Sequence, residues 1–463
     1  MVVGQIKVGR VKEVSANTDN GISFKEKLGY GVGDLASNLI FAAVSSFLLF
    51  YYTDVVGVSA AAVGTIILFS RLFDGFTDIG MGAIVDKTKT RHGKARPWLL
   101  WMAIPYAIAA FLLFSVPELG PVAILVYIAI TYNLIHLIYT AINIPYGVLN
   151  SLITQDQYQR STLNIFRMFM ALAGTVIIIF FTIPMVELLG GGKQGWQFTF
   201  TIFAVIAAIL FLITFLSTKE RVQAATASGE SHKVPLKVGF KALMKNKYWM
   251  LMVVFATVTY AAMGLGGGLN IYYAQYILGN PALVGPLGFA GLFPMMIGIL
   301  FVAPIIKKLG KRNAIIAGTV LGALGTVLIL INPTSWTLVL IGSIIRGIGG
   351  VPLVASIFAM LADTIEYGEW KSGIRTEGLV YSAGSFGTKV GMGLGAAAMG
   401  WALSYGGYIG GAAEQSASAI TTITALFIYV PLVFAAIQIL LLSFYKLDKE
   451  YPTILKELQE RKS

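Results

Sequence analysis

Arg71, Asp74, Thr77 and Asp78 fall close together inside one strongly apolar run. On a helix, spacings of three and four put Arg71, Asp74 and Asp78 on one stripe, with Thr77 beside it. Two carboxylates one turn apart repel each other and need a cation, a proton or an arginine between them. Two carboxylates and a hydroxyl are an all-oxygen donor set, the kind a hard cation such as Na⁺ prefers. A charge at the centre of a bilayer costs at least ~2.5–3.5 kcal/mol, and acids kept there mark ion pathways. The plainer alternative is a structural Arg71–Asp74 pair with Asp78 neutral.

Other polar groups stand in other apolar runs. The first run carries Asp34, Ser37 and Asn38, with Asp34 placed to meet water at a helix end. The fourth carries Tyr139, Thr140 and Asn143, followed by Pro145, which removes a backbone hydrogen bond and is a place for the helix to open. Arg167 lies in the fifth and Lys389 in the eleventh. Lining one cavity, these groups suit a polyhydroxylated ligand, and other polar solutes equally. Arg71, Arg167, Arg346 and Lys389 outnumber Asp34, Asp74 and Asp78 by one, which leaves room for an anion. His92, His136 and His232 form no cluster, and His136 reads as a packed histidine.

The elements that must hold these groups are set by composition. Of 463 residues, 56% are apolar and 12% charged, and mean hydropathy is +0.76. That charged share is about half the soluble norm. It excludes a soluble enzyme, a disordered chain and, with no cysteine, a disulfide-stapled domain or a thiolate metal site. The polar residues 1–27 lack the features of a signal peptide. Twelve spans follow, at residues 28–52, 60–85, 98–116, 122–149, 163–189 and 198–216, then 248–276, 283–306, 314–331, 337–361, 379–405 and 420–444. Each supplies the ~20 residues that cross a bilayer, and helix is the conformation that satisfies such a backbone in lipid. The chain is therefore an all-α membrane protein.

Of its 34 Lys and Arg, all but Arg71, Arg167, Lys193, Arg346 and Lys389 fall in the tails and in the loops on one side. The net charge of +12 is thus an address rather than a nucleic-acid surface, and it puts both termini in the cytoplasm of a cell membrane. The chain also halves. A tail (1–27), six spans (28–217), a polar linker (218–247), six more spans (248–445) and a second tail (446–463) follow in order. Basic loops at residues 86–94 and 307–312 occupy matching places in the two halves. Such repeats suggest a transporter whose halves rock about a midplane site. Gly190–Gly195 spells G-x-G-x-x-G, but no strand precedes it, and neither a P-loop nor H-E-x-x-H occurs.

Several motifs appear in order: Gly29–Asp34 (GYGVGD), Tyr51–Gly57 (YYTDVVG), Arg71–Asp78 (RLFDGFTD), Arg91–Trp98 (RHGKARPW), Asn143–Tyr146 (NIPY), Ala362–Trp370 (ADTIEYGEW) and Gly373–Gly378 (GIRTEG). Over nearly the whole chain this resembles the glycoside–pentoside–hexuronide cation symporter family of the major facilitator superfamily, with glucuronide and xyloside carriers closer in look. The resemblance implies a major facilitator fold of two six-helix halves that imports a sugar with Na⁺, Li⁺ or H⁺. It places the cation at Asp74, Thr77, Asp78 and Thr140. The sugar falls to Ser37, Asn38, Tyr139, Asn143, Arg167, Ser385 and Lys389. Cytoplasmic gate charges are Asp363, Glu366, Glu369, Arg375 and Glu377, pairing with basic residues such as Arg160 when the inner side is closed. Asn38 and Asn143 replace aspartates that grip the sugar in the galactoside carriers, which argues against a galactoside and eases entry of an anionic hexuronide. A neutral xyloside or other β-glycoside stays equally open.

The expected protein is a secondary active transporter and not an enzyme. It needs no cofactor beyond the co-transported cation, and its partners are a small sugar and the lipid bilayer, with no nucleic acid. It works as a monomer. The alternatives are a passive sugar facilitator or exchanger and, more remotely, a lipid-handling or enzymatic membrane protein.

Overall fold

The computed structural model describes residues 21–222, 236–374 and 377–462. Among them helices account for nearly all regular structure. The first six long helices are α1 (Phe24–Phe50, continued by a π-helical turn Tyr51–Val55), α2 (Ala60–Lys87), α3 (Arg96–Leu113), α4 (Pro121–Ile153), α5 (Gln157–Leu188) and α6 (Gly192–Ser217). A short α7 (Leu236–Met244) precedes α8 (Lys247–Tyr276), α9 (Val284–Leu309), α10 (Lys311–Ile331), α11 (Trp336–Ser372), α12 (Glu377–Tyr405) and α13 (Ala417–Phe444). The chain ends in α14 (Leu447–Lys462).

The expected spans all form, and several run past their expected ends on the basic side, as with α4, α5 and α11. Local chemistry sets those ends. Asp156 and Asn246 cap α5 and α8, accepting from the backbone N–H of Gln159 and Trp249. Pro97 and Pro121 occupy the first turns of α3 and α4, where a missing N–H costs nothing. Gly310, at φ +79°, makes the one-residue turn between α9 and α10. Pro145 leaves α4 continuous, contrary to the expected opening. Among the described residues, eleven helices have the length and apolarity to cross a membrane. The twelfth long helix, α12, is diluted by Gly, Ser and Lys389.

Packing divides the helices into two sets of six. In the first, α1 packs on α5 and α6, α2 on α4, and α3 on α4 and α6. In the second, α8 packs on α12 and α13, α10 on α11 and α13, and α9 on α11. The α8–α12 contact is backbone to backbone: a Cβ on Gly395 would stand 2.0 Å from the carbonyl oxygen of Ala261, so only glycine fits there. The sets join through α2–α12, α1–α8 and α5–α9.

That junction is tight at the end away from the basic loops. There Asp54 accepts from the hydroxyls of Tyr276 (2.5 Å) and Tyr408 (2.6 Å), and Thr53 bonds Tyr272 at 2.9 Å. Burial, then Tyr272 and Asp54, push the Tyr408 hydroxyl far above its ordinary range, so it stays a donor. At the basic end the described ion pairs stay within one half, as in Arg221–Glu26, Lys94–Asp86 and Lys311–Asp363. Side-chain hydrogen bonds thus tie the two halves together at the end away from the basic loops. The expected tail 446–463 is mostly helix α14, tied to the second half by Trp370 donating to Glu457 (2.6 Å) and Tyr248 to Glu450 (3.0 Å).

Candidate functional site

Asp74 lies fourteen residues into α2, about 21 Å along it, near the middle of the span. The helical stripe read from the sequence points its carboxylates at α4 and α12. Thr140 of α4 donates to Asp74 Oδ1 at 3.1 Å and bridges to Asp78 Oδ1 at 3.0 Å. Lys389 Nζ of α12 stands 3.1 Å from Asp74 Oδ2, bonds Asp78 Oδ2, and donates to the Asp74 carbonyl at 3.3 Å. Arg71 flanks Asp74 at 3.9 Å, one turn away on α2, and faces the ring of Phe41. Two carboxylates thus meet two cations and one hydroxyl. The Thr77 hydroxyl turns back to the Asp74 carbonyl (3.0 Å) rather than to the carboxylates.

Lys389 therefore joins the acid pair, whereas the sequence reading put it on the sugar. It does so because α12 packs directly on α2, which brings the ammonium within reach of both acids. Ser37 is wholly buried, its carbonyl accepts from Tyr106 of α3, and its hydroxyl has no hydrogen-bond partner among the described residues.

A second cluster lies between α1, α4 and α5. Arg167 Nε bonds Asp34 Oδ2 at 2.5 Å, and its Nη2 donates to Asn143 Oδ1 at 3.2 Å. The guanidinium lies 4.6 Å over the ring of Tyr146. Tyr146 and Tyr30 each donate to the other's carbonyl, fixing α1 to α4. Asp34 is thus a buried ion-pair partner and not a helix end in water, because α1 starts at Phe24, ten residues earlier. The sequence reading missed this role. The signal was the acid on the same face as Asn38, four residues before it. Asn38 itself donates to the Asp34 carbonyl (2.9 Å), and Tyr139 stacks on Phe41. Side chains of Asp78 and Arg167 are 26% and 23% exposed, and Ser385 is exposed.

The expected gate charges lie apart from these two clusters, toward the basic end. Asp363 pairs with Lys311 at 2.5 Å inside its own half, and Arg160 donates to the carbonyls of Thr154 and Ser151. Glu366 and Glu369 stand on the last turns of α11. Arg375 and the Glu377 side chain lie outside the described residues. His136 is buried against Tyr132, with neither ring nitrogen bonded.

Two packed sets of six helices, with paired charges at mid-depth where they meet, fit a membrane transporter. The chain matches the family described as MFS/sugar transport protein over residues 29–449, and it belongs to that family of sugar transporters. The isoprimeverose transporter of Lactiplantibacillus pentosus is 36% identical over 453 residues, covering 96% of this chain and 92% of that one. A putative glycoside/cation symporter of Escherichia coli (strain K12) is 32% identical, covering 94% and 95%. The glucuronide carrier protein homolog of the same organism is also 32% identical, covering 95% and 96%. Among solved structures, the nucleoside transporter NupG superposes with a TM-score of 0.65 at 14% identity, covering 92% of this chain and 100% of that one. A bacterial homolog of the lysosomal transporter Spinster, in an inward-facing and unoccupied conformation, gives 0.66 at 13% identity, covering 93% and 97%. The fold is that of the major facilitator superfamily.

Proposed function

We propose that the protein is a symporter that imports a neutral glycoside or pentoside with Na⁺ across the cell membrane, by alternating access. The observation that carries this reading is the Lys389 ammonium seated between Asp74 and Asp78. A tethered cation in that place stands where a free one binds. Na⁺ entering among the oxygens of Asp74, Asp78 and Thr140, with Thr77 beside them, displaces Lys389, whose four-carbon stem then carries the ammonium toward the space lined by Asn143, Arg167 and Ser385. There it donates to sugar hydroxyls, so cation and sugar each raise the other's affinity by the same factor. Moving one charge through 100 mV supplies ~2.3 kcal/mol, about 40–50-fold accumulation.

Neutral substrates are favoured over hexuronides because Arg167, a cation expected to welcome an acid, already faces Asp34. The basic loops favour a cytoplasmic location for both termini, with the Asp54–Tyr408 closure on the outer side.

Proteoliposome uptake of labelled xylosides and isoprimeverose tests the proposal. A Na⁺ gradient should drive accumulation, and Asp74→Asn or Asp78→Asn should abolish it while sparing counterflow. Accumulation driven by a pH gradient alone would replace Na⁺ with H⁺. Equal uptake without any gradient would leave a passive facilitator.

A further inference from the structure

The cations of the apolar spans outnumber the acids by one, and the structure locates the surplus. Arg71 and Lys389 face Asp74 and Asp78, and Arg167 faces Asp34. Arg346 of α11 has no carboxylate. Among the described residues it makes no ion pair and no hydrogen bond, and its neighbour is the Phe427 ring, 5.1 Å from Cζ to centroid. It lies ten residues, about 15 Å, into α11, too deep for its stem to carry the charge to the interface.

The guanidinium lines two adjoining pockets of the second half, one largely enclosed and one open. One, of about 130 Å³, is bounded by Gly266, Asn270, Phe427 and Gln438. The other, of about 240 Å³, lies toward α10 and includes Thr259, Thr326 and Gln438. The linings come from α8, α10, α11 and α13, and their polar groups other than Arg346 are hydroxyls and amides, with no Asp or Glu. A Cβ added at Gly266 would meet nothing within 4 Å. Gln438 gives one amide hydrogen to Thr259 Oγ1 at 3.1 Å and keeps a second. A half-buried guanidinium at this depth, with no acid around it, calls for a counter-charge, and a cation–π contact is not one.

We propose that the cavities around Arg346 form a binding site for a small monovalent anion of halide size, held by the guanidinium and by the amide groups of Asn270 and Gln438. The more enclosed pocket, beside Asn270, falls well below the roughly 300 Å³ at which sites for drug-sized ligands begin, so a glycoside does not fit there. The opposite face of α8, at Gly264, Gly267 and Gly268, points to α1 and α12. The site therefore stands behind the transport path. Its occupant neutralises the second half and ties α8, α11 and α13 together.

The test is thermal unfolding of the purified full chain in detergent, in sodium chloride or bromide against sodium gluconate at equal ionic strength. Chloride and bromide should raise the apparent midpoint saturably, by about 3 °C. Arg346→Gln should lose the rise. Gly266→Val keeps the charge but fills the smaller cavity, and should weaken the halide response about tenfold or more. It decides the matter if Arg346→Gln does not fold. No halide-specific rise in the wild type, or an equal rise in the folded variants, overturns the site. A rise with glucuronate but not with chloride, lost in Arg346→Gln, overturns the small-anion assignment.

Discussion

Replacing Lys389 with methionine keeps the stem and removes the charge that separates two acids. Asp74 and Asp78 both accept from Thr140, at 3.1 and 3.0 Å, so those oxygens lie no more than about 6 Å apart. Two unit charges at that distance repel by about 3 kcal/mol at an effective dielectric of about 20. Asp78 is partly exposed, and water halves that figure to about 1.5 kcal/mol. In the variant an incoming Na⁺ relieves this repulsion and no longer competes with an ammonium. Its affinity should rise between about 10- and 100-fold. Sugar affinity should fall and lose its dependence on Na⁺, because the group that joins the two sites is gone. Isothermal titration in detergent measures both, with Na⁺ titrated in the absence of sugar and sugar titrated with and without Na⁺. Unchanged or weaker Na⁺ binding, or sugar binding as Na⁺-dependent as in the wild type, would refute the displacement of Lys389.

Further outcomes rest on other contacts. Asp34→Ala leaves the Arg167 guanidinium without its partner and should destabilise the protein by about 2–3 kcal/mol, whereas Asp34→Ala with Arg167→Ala should recover most of that loss, by thermal unfolding in detergent. Asp54→Asn weakens the hydroxyl cluster that closes the far end. Since the chain has no cysteine, a lone Ser45→Cys behind that closure should be labelled faster by an impermeant maleimide in the Asp54→Asn background, and equal rates would deny Asp54 a latching role. Gly395→Val drives side-chain atoms into the Ala261 carbonyl and should separate α8 from α12, seen as loss of monodisperse protein on gel filtration, while Gly266→Val, on the open face of α8, should not.

The helices were readable because each is written locally, in a run of apolar residues with basic ends, and lipid leaves such a run no other conformation. The stripe of Asp74 and Asp78 was readable for the same reason, since both lie on one helix. The partners of that stripe were not. Thr140 is 66 residues from Asp74 and Lys389 is 315, and only the packing of α4 and α12 on α2 brings them together. Spacing gave no way to tell that Lys389 reaches the acids of α2 or that Asp34 is neutralised by Arg167.

Charge makes the division plain. The sequence alone determined how many charges enter the membrane, because insertion is decided span by span from composition. Which charges cancel was decided by tertiary structure, because an ion pair depends on a separation of a few ångströms that side chains on different helices acquire only when the helices pack. The excess of one cation was countable from residue types. That it falls on Arg346, away from the acids of the first half and beside two small cavities, is a property of the folded bundle.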